Sequence, residues 1–404
     1  MPVSDICFLH PFRLPSVSAH SIQILQTCLA LAEAGARVCL QVKRPPGAPP
    51  LDEAAALASY GLQPHPRLHI EWLPTAHNGI AGLAARWHIR RAHRDVVFYA
   101  RHLRLAVTAA HARRGPVIVE AHNLEPDTGR AVALADGIVC ITAALQARIR
   151  EAFAPVSPLI VIPDGVDLSR FRPLHGDGPP RLLYTGQLME WKGVDVLLRA
   201  LAQLPGMSAL IVGGQPGPDP RRDALSALAT DVGVAHRVAW IGHVPPHEVA
   251  ALVRPGDIGV VPTRARHGEE FSASPLKLFE YMALSLPIVA TDLPSLRDVI
   301  RDGDNGVLFR DGDAHALADA VRRLLADPTR RAAMAAQALH DAGGYSWAAR
   351  AARILAFIEV VRGTPHPSPL PAKSAGRGGS GGFHSHSAMS GFPSPRNSAG
   401  RGCG

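Results

Sequence analysis

Two doubly wound, Rossmann-like α/β domains facing across a cleft are what the sequence predicts, and three observations predict them. Short apolar runs alternate with longer amphipathic stretches along almost all of residues 1–362, the pattern of βαβ units and parallel sheets. That alternation breaks at Pro163-Asp-Gly165-Val-Asp167 and Phe171-Arg-Pro173 and then restarts. The 404 residues also exceed what one hydrophobic core usually organises.

In the first half, strands are expected at Ile6–Leu9, Val38–Val42, Leu68–Trp72, Val96–Ala100, Pro116–Glu120, Gly137–Thr142 and Leu159–Ile162, each a short run of apolar residues. Helices fit His20–Ala34, Ala81–Ala92, Leu103–Arg113 and Ala143–Phe153, where apolar positions recur at helical spacing. After the break, strands are expected at Arg181–Thr185, Ala209–Gly213, Val238–Ile241, Ile258–Pro262, Ile288–Thr291 and Gly306–Phe309. Helices fit Val194–Leu204, Pro220–Val232, Glu248–Val253, the segment from Ser274, Ala314–Ala326 and finally Tyr345–Val361. The expected partition is 1–173 and 174–343, with 344–362 a C-terminal helix packing back on the first domain. From residue 363 to 404 the chain is rich in Pro, Gly, Ser, His and Arg without an acidic residue, so a disordered tail is expected.

With 47% hydrophobic and 19% charged residues, the composition is that of a soluble globular protein, and no run nears the ~18 apolar residues of a membrane span. The start lacks the basic region of a secretory signal, and the five cysteines show no metal or disulfide spacing. A cytoplasmic protein with reduced thiols is expected. Residues 86–114 hold eight Arg against one Asp. With no nucleic-acid-binding motif and no aromatic stacking platform, that cluster suits an anionic membrane surface, and nucleic acid is not an expected partner.

One segment carries most of the chemistry, Ser272-Ala-Ser274-Pro275-Leu-Lys277-Leu-Phe-Glu280-Tyr-Met-Ala283. Ser274 reads as an N-cap and Pro275 as the first helical residue. The free amides of such a helix start, with Lys277 in its first turn, suit a phosphate. Glu280, one turn on, can accept from sugar hydroxyls, and the combination suits a nucleotide-sugar.

The ordered set of motifs resembles a retaining glycosyltransferase of the large group called family 4, in a Ser-Pro-x-Lys variant, across roughly residues 1–362. Pro15-Ser-Val-Ser18-Ala19-His20-Ser21-Ile-Gln23 with Glu33-Ala-Gly35 resembles the family's acceptor-side first loop and helix. Glu120-Ala-His122-Asn123 resembles the strand end bearing its active-site His, and Ile162-Pro-Asp-Gly165-Val-Asp167 its interdomain signature. Tyr184-Thr-Gly186-Gln187, leading to Trp191-Lys192-Gly193-Val-Asp195, is similar to the first donor-domain loop, and the Ser274–Ala283 segment to the donor-binding helix. The resemblance implies the two-domain GT-B fold and transfer of a sugar from a UDP- or GDP-linked donor to a lipid-linked or glycan acceptor, as in cell-surface polysaccharide or glycolipid biosynthesis.

It also implies roles. His122 would contact the transferred sugar and Glu280 the nucleoside ribose, the two forming the catalytic pair. Lys192 and Lys277, with Gly186, Gln187 and Ser274, would hold the diphosphate whose charge grows as it leaves. Two cations there remove the need for a metal, and no cofactor is expected. His243 falls where the family has its base-binding loop. Two positions depart from the pattern: Gln187 stands for a common Arg, and Ser272 for a common sugar-binding Glu. Glu269 and Glu270 lie just upstream as candidate substitutes. Gly213-Gly214 follow a strand and can serve as turn residues or as a close approach to nucleotide. Asp302-Gly-Asp304 and Asp311-Gly-Asp313 read as turns rather than metal sites. A nucleotide-sugar epimerase of similar fold and a non-catalytic derivative of the fold are the competing readings.

Overall fold

The computed structural model describes residues 5–16, 18–43, 52–73, 78–176, 178–265 and 269–363. The expected disordered tail falls, from residue 364 on, outside the described residues. In the first half the elements run β1 (Asp5–Arg13), α1 (Ala19–Glu33), β2 (Arg37–Lys43), α2 (Glu53–Ala58), β3 (Leu68–Leu73), α3 (Asn78–Arg91), β4 (Val97–Ala100), α4 (Leu103–Ala112), β5 (Val117–Ala121), α5 (Thr128–Leu134), β6 (Gly137–Cys140), α6 (Ala143–Phe153) and β7 (Leu159–Val161). The second half continues with β8 (Arg181–Gly186), α7 (Val194–Leu201), β9 (Ser208–Gly213), α8 (Pro220–Asp231), β10 (Val238–Gly242), β11 (Asp257–Val261), α9 (Leu276–Ala283), β12 (Ile288–Thr291), α10 (Pro294–Arg297), β13 (Val307–Phe309), α11 (Ala314–Ala326), α12 (Pro328–Ala342) and α13 (Trp347–Gly363).

The strands form two sheets, ordered β3-β2-β1-β4-β5-β6-β7 and β10-β9-β8-β11-β12-β13. Every pairing within both is parallel. Strand order reverses direction beside β1 and β4 in the first sheet and beside β8 and β11 in the second. In open parallel sheets those are the points where the loops diverge and leave a crevice at the carboxyl ends.

Alternation along the strands decides what faces each helical layer. In β5, Val117 and Val119 pack with residues of α4 and α6. Ile118 points to the opposite layer, where α1 and α13 lie side by side, and Glu120 shares its parity. The α1 and α13 layer buries Ile24, Leu25, Leu31, Ile354 and Ile358 completely, together with the polar Gln23, Thr27 and Arg350. In the second sheet, Tyr184, Ile258 and Val289 pack with α7 and α11, while Leu183, Val261 and Ala290 pack with α9.

Four helices escaped the sequence reading. α2 and α10 are 6 and 4 residues long, too short for a periodic signal. α5 is 7 residues long and is similarly brief. α12 is longer, but its 15 residues are mostly alanine and charge, so no apolar stripe marks it; Asp327 caps it by accepting from the Arg330 amide. The helix expected at Glu248–Val253 is only a 3-10 turn, Val249–Leu252, because prolines stand close on both sides at 245, 246 and 255.

Loops at the carboxyl ends of the two sheets touch. The Thr142 hydroxyl, just past β6, donates to the carbonyl of Phe271, between β11 and α9. Asp298, just past α10, accepts from the Ala143 amide (2.6 Å) at the start of α6. In the connection between the sheets, Arg170 donates to the carbonyl of Gly61, beyond α2 (2.9 Å).

Candidate active site

At the end of β8 the chain turns through Gly186, whose φ of +124° favours glycine. A Cβ there would lie 3.2 Å from the amine of Lys277. That amine lies 3.4 Å from the centroid of the Tyr184 ring, and Lys277 is only 8% exposed. A cation held over an aromatic face recovers part of its lost hydration. Lys277 forms no ion pair among the described residues. Burial, reinforced by the nearby charge of Lys192, pushes its pKa well down against the opposing pull of Glu280.

The α9 start differs from the expected one. Pro275 has extended backbone (φ −75°, ψ 121°) and is itself the capping residue, so Leu276 begins the helix. Ser274 is therefore one position too early to cap. Its hydroxyl is buried without a hydrogen-bond partner and lines a cavity of about 130 Å³ with Thr142, Pro163 and Leu278. Lys277 remains in the first turn. One turn on, half-buried Glu280 has its carboxyl raised to about 7, chiefly by burial and against the pull of Lys277 and Arg170.

Lys192 ends the 3-10 turn Glu190–Lys192 that follows β8. The turn sits against the end of β11: Arg264 donates its amide to the Trp191 carbonyl (2.8 Å), and a Cβ on Gly193 would lie 1.8 Å from the Pro262 carbonyl oxygen. Half-buried Gln187 accepts at its carbonyl from the Tyr184 hydroxyl (2.5 Å), which fixes the loop backbone. Gly186, Gln187, Lys192, Lys277 and Glu280 thus gather at the switch point of the second sheet. Ser272 and Glu270 lie half-buried in the loop before α9. The Glu270 carbonyl accepts from Ser295 (2.8 Å), and its carboxylate Oε2 is buried with no hydrogen bond among the described residues. The Glu269 side chain lies outside the described residues. His243 follows β10 and is exposed.

Across from these, the first sheet collects histidines at its own switch point. His20, in the first turn of α1, meets His10 of β1 edge-on at 5.5 Å, and His102 lies 6.2 Å from His10. Ser18 precedes α1 with its carbonyl accepting from Ser21, and Ala19 beside it is exposed. Burial, then the charge of Arg101 and the neighbouring His122, lowers His20 to about 4, so this cluster is neutral at pH 7. Arg101 belongs to the 86–114 basic stretch but turns inward, donating to Gln23 (2.7 Å). The expected single basic surface therefore loses one of its eight arginines to the site.

His122 stands just past β5, its side chain 16% exposed, with Nε2 2.6 Å from the carboxylate of Glu120. Glu120 is fully buried and receives three further donors: Gln23 (2.9 Å), the Tyr99 hydroxyl, and Arg350 of α13 (2.6 Å). Burial alone would raise the Glu120 pKa, but Arg350, then His122 and Tyr99, more than offset that and hold it below the usual carboxylate range. For His122, burial and Arg101 outweigh Glu120, so its pKa is lowered and the ring is neutral at pH 7. In the sequence Glu120 and Gln23 stand within motifs but carry no role of their own, and Arg350 and Tyr99 do not stand out at all. The two-residue spacing of Glu120 and His122 along a strand was a signal that they share a face. For Arg350 there was none.

Comparison with known proteins bears on the family and the fold. The family described as "Glycosyl transferases group 1" matches residues 179–327, and "Glycosyltransferase Family 4" matches residues 21–170. A D-inositol 3-phosphate glycosyltransferase of Nocardia farcinica is 34% identical over 244 residues, 55% of this chain and 52% of the relative. The chain thus spans about half the length of that relative. A GDP-mannose-dependent alpha-(1-6)-phosphatidylinositol monomannoside mannosyltransferase of Mycolicibacterium smegmatis is 29% identical over 346 residues, 78% of this chain and 88% of the relative. Among solved structures, the sucrose-phosphate synthase of Thermosynechococcus elongatus is similar with a TM-score of 0.74 and 18% identity, covering 89% of this chain and 99% of that one.

Proposed function

Because the chain belongs to the group 1 and family 4 glycosyltransferases, with two doubly wound domains of GT-B type, we propose that it transfers a sugar, with retention of configuration, from a UDP- or GDP-linked donor to a lipid-linked or glycan acceptor. The observation that carries this is Lys277: a buried amine at a helix start, over Tyr184 and beside Gly186, next to a second cation on Lys192. Such a pair stabilises a diphosphate most when its charge is greatest, as it leaves. Glu280 accepts from the ribose hydroxyls. His122 contacts the transferred sugar, and Glu270, with an unpaired buried oxygen, supplies the sugar-binding carboxylate absent at Ser272. The lysines carry the charge a divalent ion would otherwise bring, so activity persists in EDTA. The GDP-mannose dependence in the name of the mycobacterial relative favours a GDP-linked hexose as the first donor to test.

A place at the inner face of the membrane, in cell-surface glycolipid or polysaccharide synthesis, fits the outer side of the first domain. Among the described residues no helix is long and apolar enough to cross a membrane. α3, however, exposes Leu83 (64%) and Trp87 (50%) one turn apart, with the Arg91 guanidinium 4.3 Å over the Trp87 ring. Beside it, Arg86, Arg90, Arg104 and Arg130 line an open groove of about 480 Å³. Apolar wedges ringed by arginine suit an anionic bilayer surface.

Thermal unfolding with GDP, UDP and their sugars tests the donor: a ligand bound by the fold raises the melting temperature, and one nucleotide should do so at sub-millimolar concentration. An NMR time course then decides the reaction. Donor consumed only with acceptor present supports transfer, whereas donor interconverted alone makes the protein an epimerase.

A further inference from the structure

Beyond the residues that touch donor or sugar, a buried side chain of α13 organises the site from behind. Arg350 is 2% exposed, and its guanidinium joins three parts of the fold. It donates to the Glu120 carboxylate (2.6 Å), to the carbonyl of Ile162 where the first sheet ends (2.7 Å), and to the Thr27 hydroxyl of α1 (3.2 Å). Asp164 lies 3.9 Å from the same group. Tyr99 donates to the same Glu120 oxygen as Arg350, whereas Gln23, tied in turn to Arg101, shares the other oxygen with His122. Glu120 therefore accepts from Gln23, Tyr99, Arg350 and His122 at once.

We propose that Arg350 is a positioning residue for His122, acting through Glu120 to fix the imidazole in the tautomer that carries its proton on Nε2. An ionised carboxylate can only accept, so the ring nitrogen 2.6 Å from it must donate. Nδ1 is left with its lone pair, ready to accept from a sugar hydroxyl, on a side chain that is 16% exposed. The guanidinium keeps the carboxylate ionised inside the fold. Without it, Glu120 takes up a proton, its hydroxyl donates to Nε2, and the proton on His122 moves to Nδ1. The ring then offers the sugar a donor where it had offered an acceptor. The same logic governs imidazoles held by carboxylates at metal and catalytic sites.

This inference rests on His122 as the sugar-contacting group, and its test separates the two. Donor turnover is measured for the wild type and for His122→Ala, Arg350→Met, Arg350→Lys and the double variant Arg350→Met/Glu120→Gln. Side-chain ¹⁵N–¹H correlation spectra of the histidines are recorded on each, His122 being assigned from the His122→Ala difference. Arg350→Met should lower kcat on the order of 100-fold with donor KM changed less than about threefold, and move the His122 proton from Nε2 to Nδ1. Arg350→Lys retains the charge and should recover much of kcat and the Nε2 tautomer. The double variant removes the buried charge, so it folds stably but should remain as slow as Arg350→Met. Wild-type kcat in the folded double variant, or an Nε2 proton in Arg350→Met, overturns the role of Arg350. An undiminished kcat in His122→Ala overturns the assignment of His122 itself.

Discussion

The Lys277 amine sits 3.4 Å from the centre of the Tyr184 ring, whose negative face offsets part of the cost of burying it. Burying that cation costs folding free energy that binding recovers. Lys277→Met should therefore raise the melting temperature of the free protein by a few degrees while abolishing the further rise caused by the donor nucleotide. Turnover should fall on the order of 100- to 1000-fold. Differential scanning calorimetry with and without nucleotide reads both, and a less stable, still nucleotide-responsive variant would refute the assignment.

Glu280 sets a pH dependence. Its carboxyl titrates at about 7 in the fold against an ordinary 4.5. Only the ionised form accepts from both ribose hydroxyls, so donor affinity should weaken as pH falls from 8 to 6. Nucleotide titrations at pH 6, 7 and 8 check this, and Glu280→Ala should bind weakly and without that slope.

Stability moves the other way. A carboxyl whose pKa is raised by folding stabilises the fold below its unfolded value and loses that contribution as pH rises through about 7. Glu280→Gln copies the protonated form. It should match the wild type near pH 5 and exceed it at pH 8 by on the order of 2 kcal/mol, read from urea unfolding at the two pH values.

Two glycines of the donor loop should part company. At Gly193 a Cβ would lie 1.8 Å from the Pro262 carbonyl oxygen with φ at +70°, so Gly193→Ala should cost about 3 kcal/mol or more of stability. At Gly186 the nearest atom is the far end of the Lys277 side chain, 3.2 Å away. Gly186→Ala should lose less stability but raise donor KM at least tenfold, since it displaces the amine. Urea melts and steady-state kinetics on the two variants distinguish these outcomes.

The outer face of the first domain gives a lipid prediction. Co-sedimentation with vesicles rich in phosphatidylglycerol should fall several-fold on Arg86→Ala/Arg90→Ala, and again at high salt. Leu83→Ser/Trp87→Ser should weaken it even at low salt. Binding indifferent to both salt and these variants removes the membrane from the proposal.

Much of this was legible in the sequence because strands with β-branched cores and amphipathic helices announce themselves locally. His122, Lys192, Lys277 and Glu280 stood out as candidates since each lies in a recognisable string just past a strand or in the first turns of a helix. The helix start at Ser274 was misread because Ser-Pro satisfies two capping preferences, while packing against the loops of the first sheet buries the serine and lets Pro275 take its place. Arg101 was counted as surface charge, since nothing local says that a β4 terminus turns its arginine inward. Arg350 was invisible for a deeper reason. Its partner lies 230 residues away, and a buried arginine in a helix has no local signature until that partner is in place.

That separation has a consequence during synthesis. When Glu120 leaves the ribosome, the cation that offsets its burial has yet to be translated. At typical elongation rates the interval is roughly 10–50 s. Through that interval the first sheet can close only by protonating Glu120 or by holding its carboxylate on Gln23, Tyr99 and His122 alone, either at a cost in stability. The nascent first half should therefore stay protease-sensitive, and a chaperone client, until α13 docks and supplies Arg350.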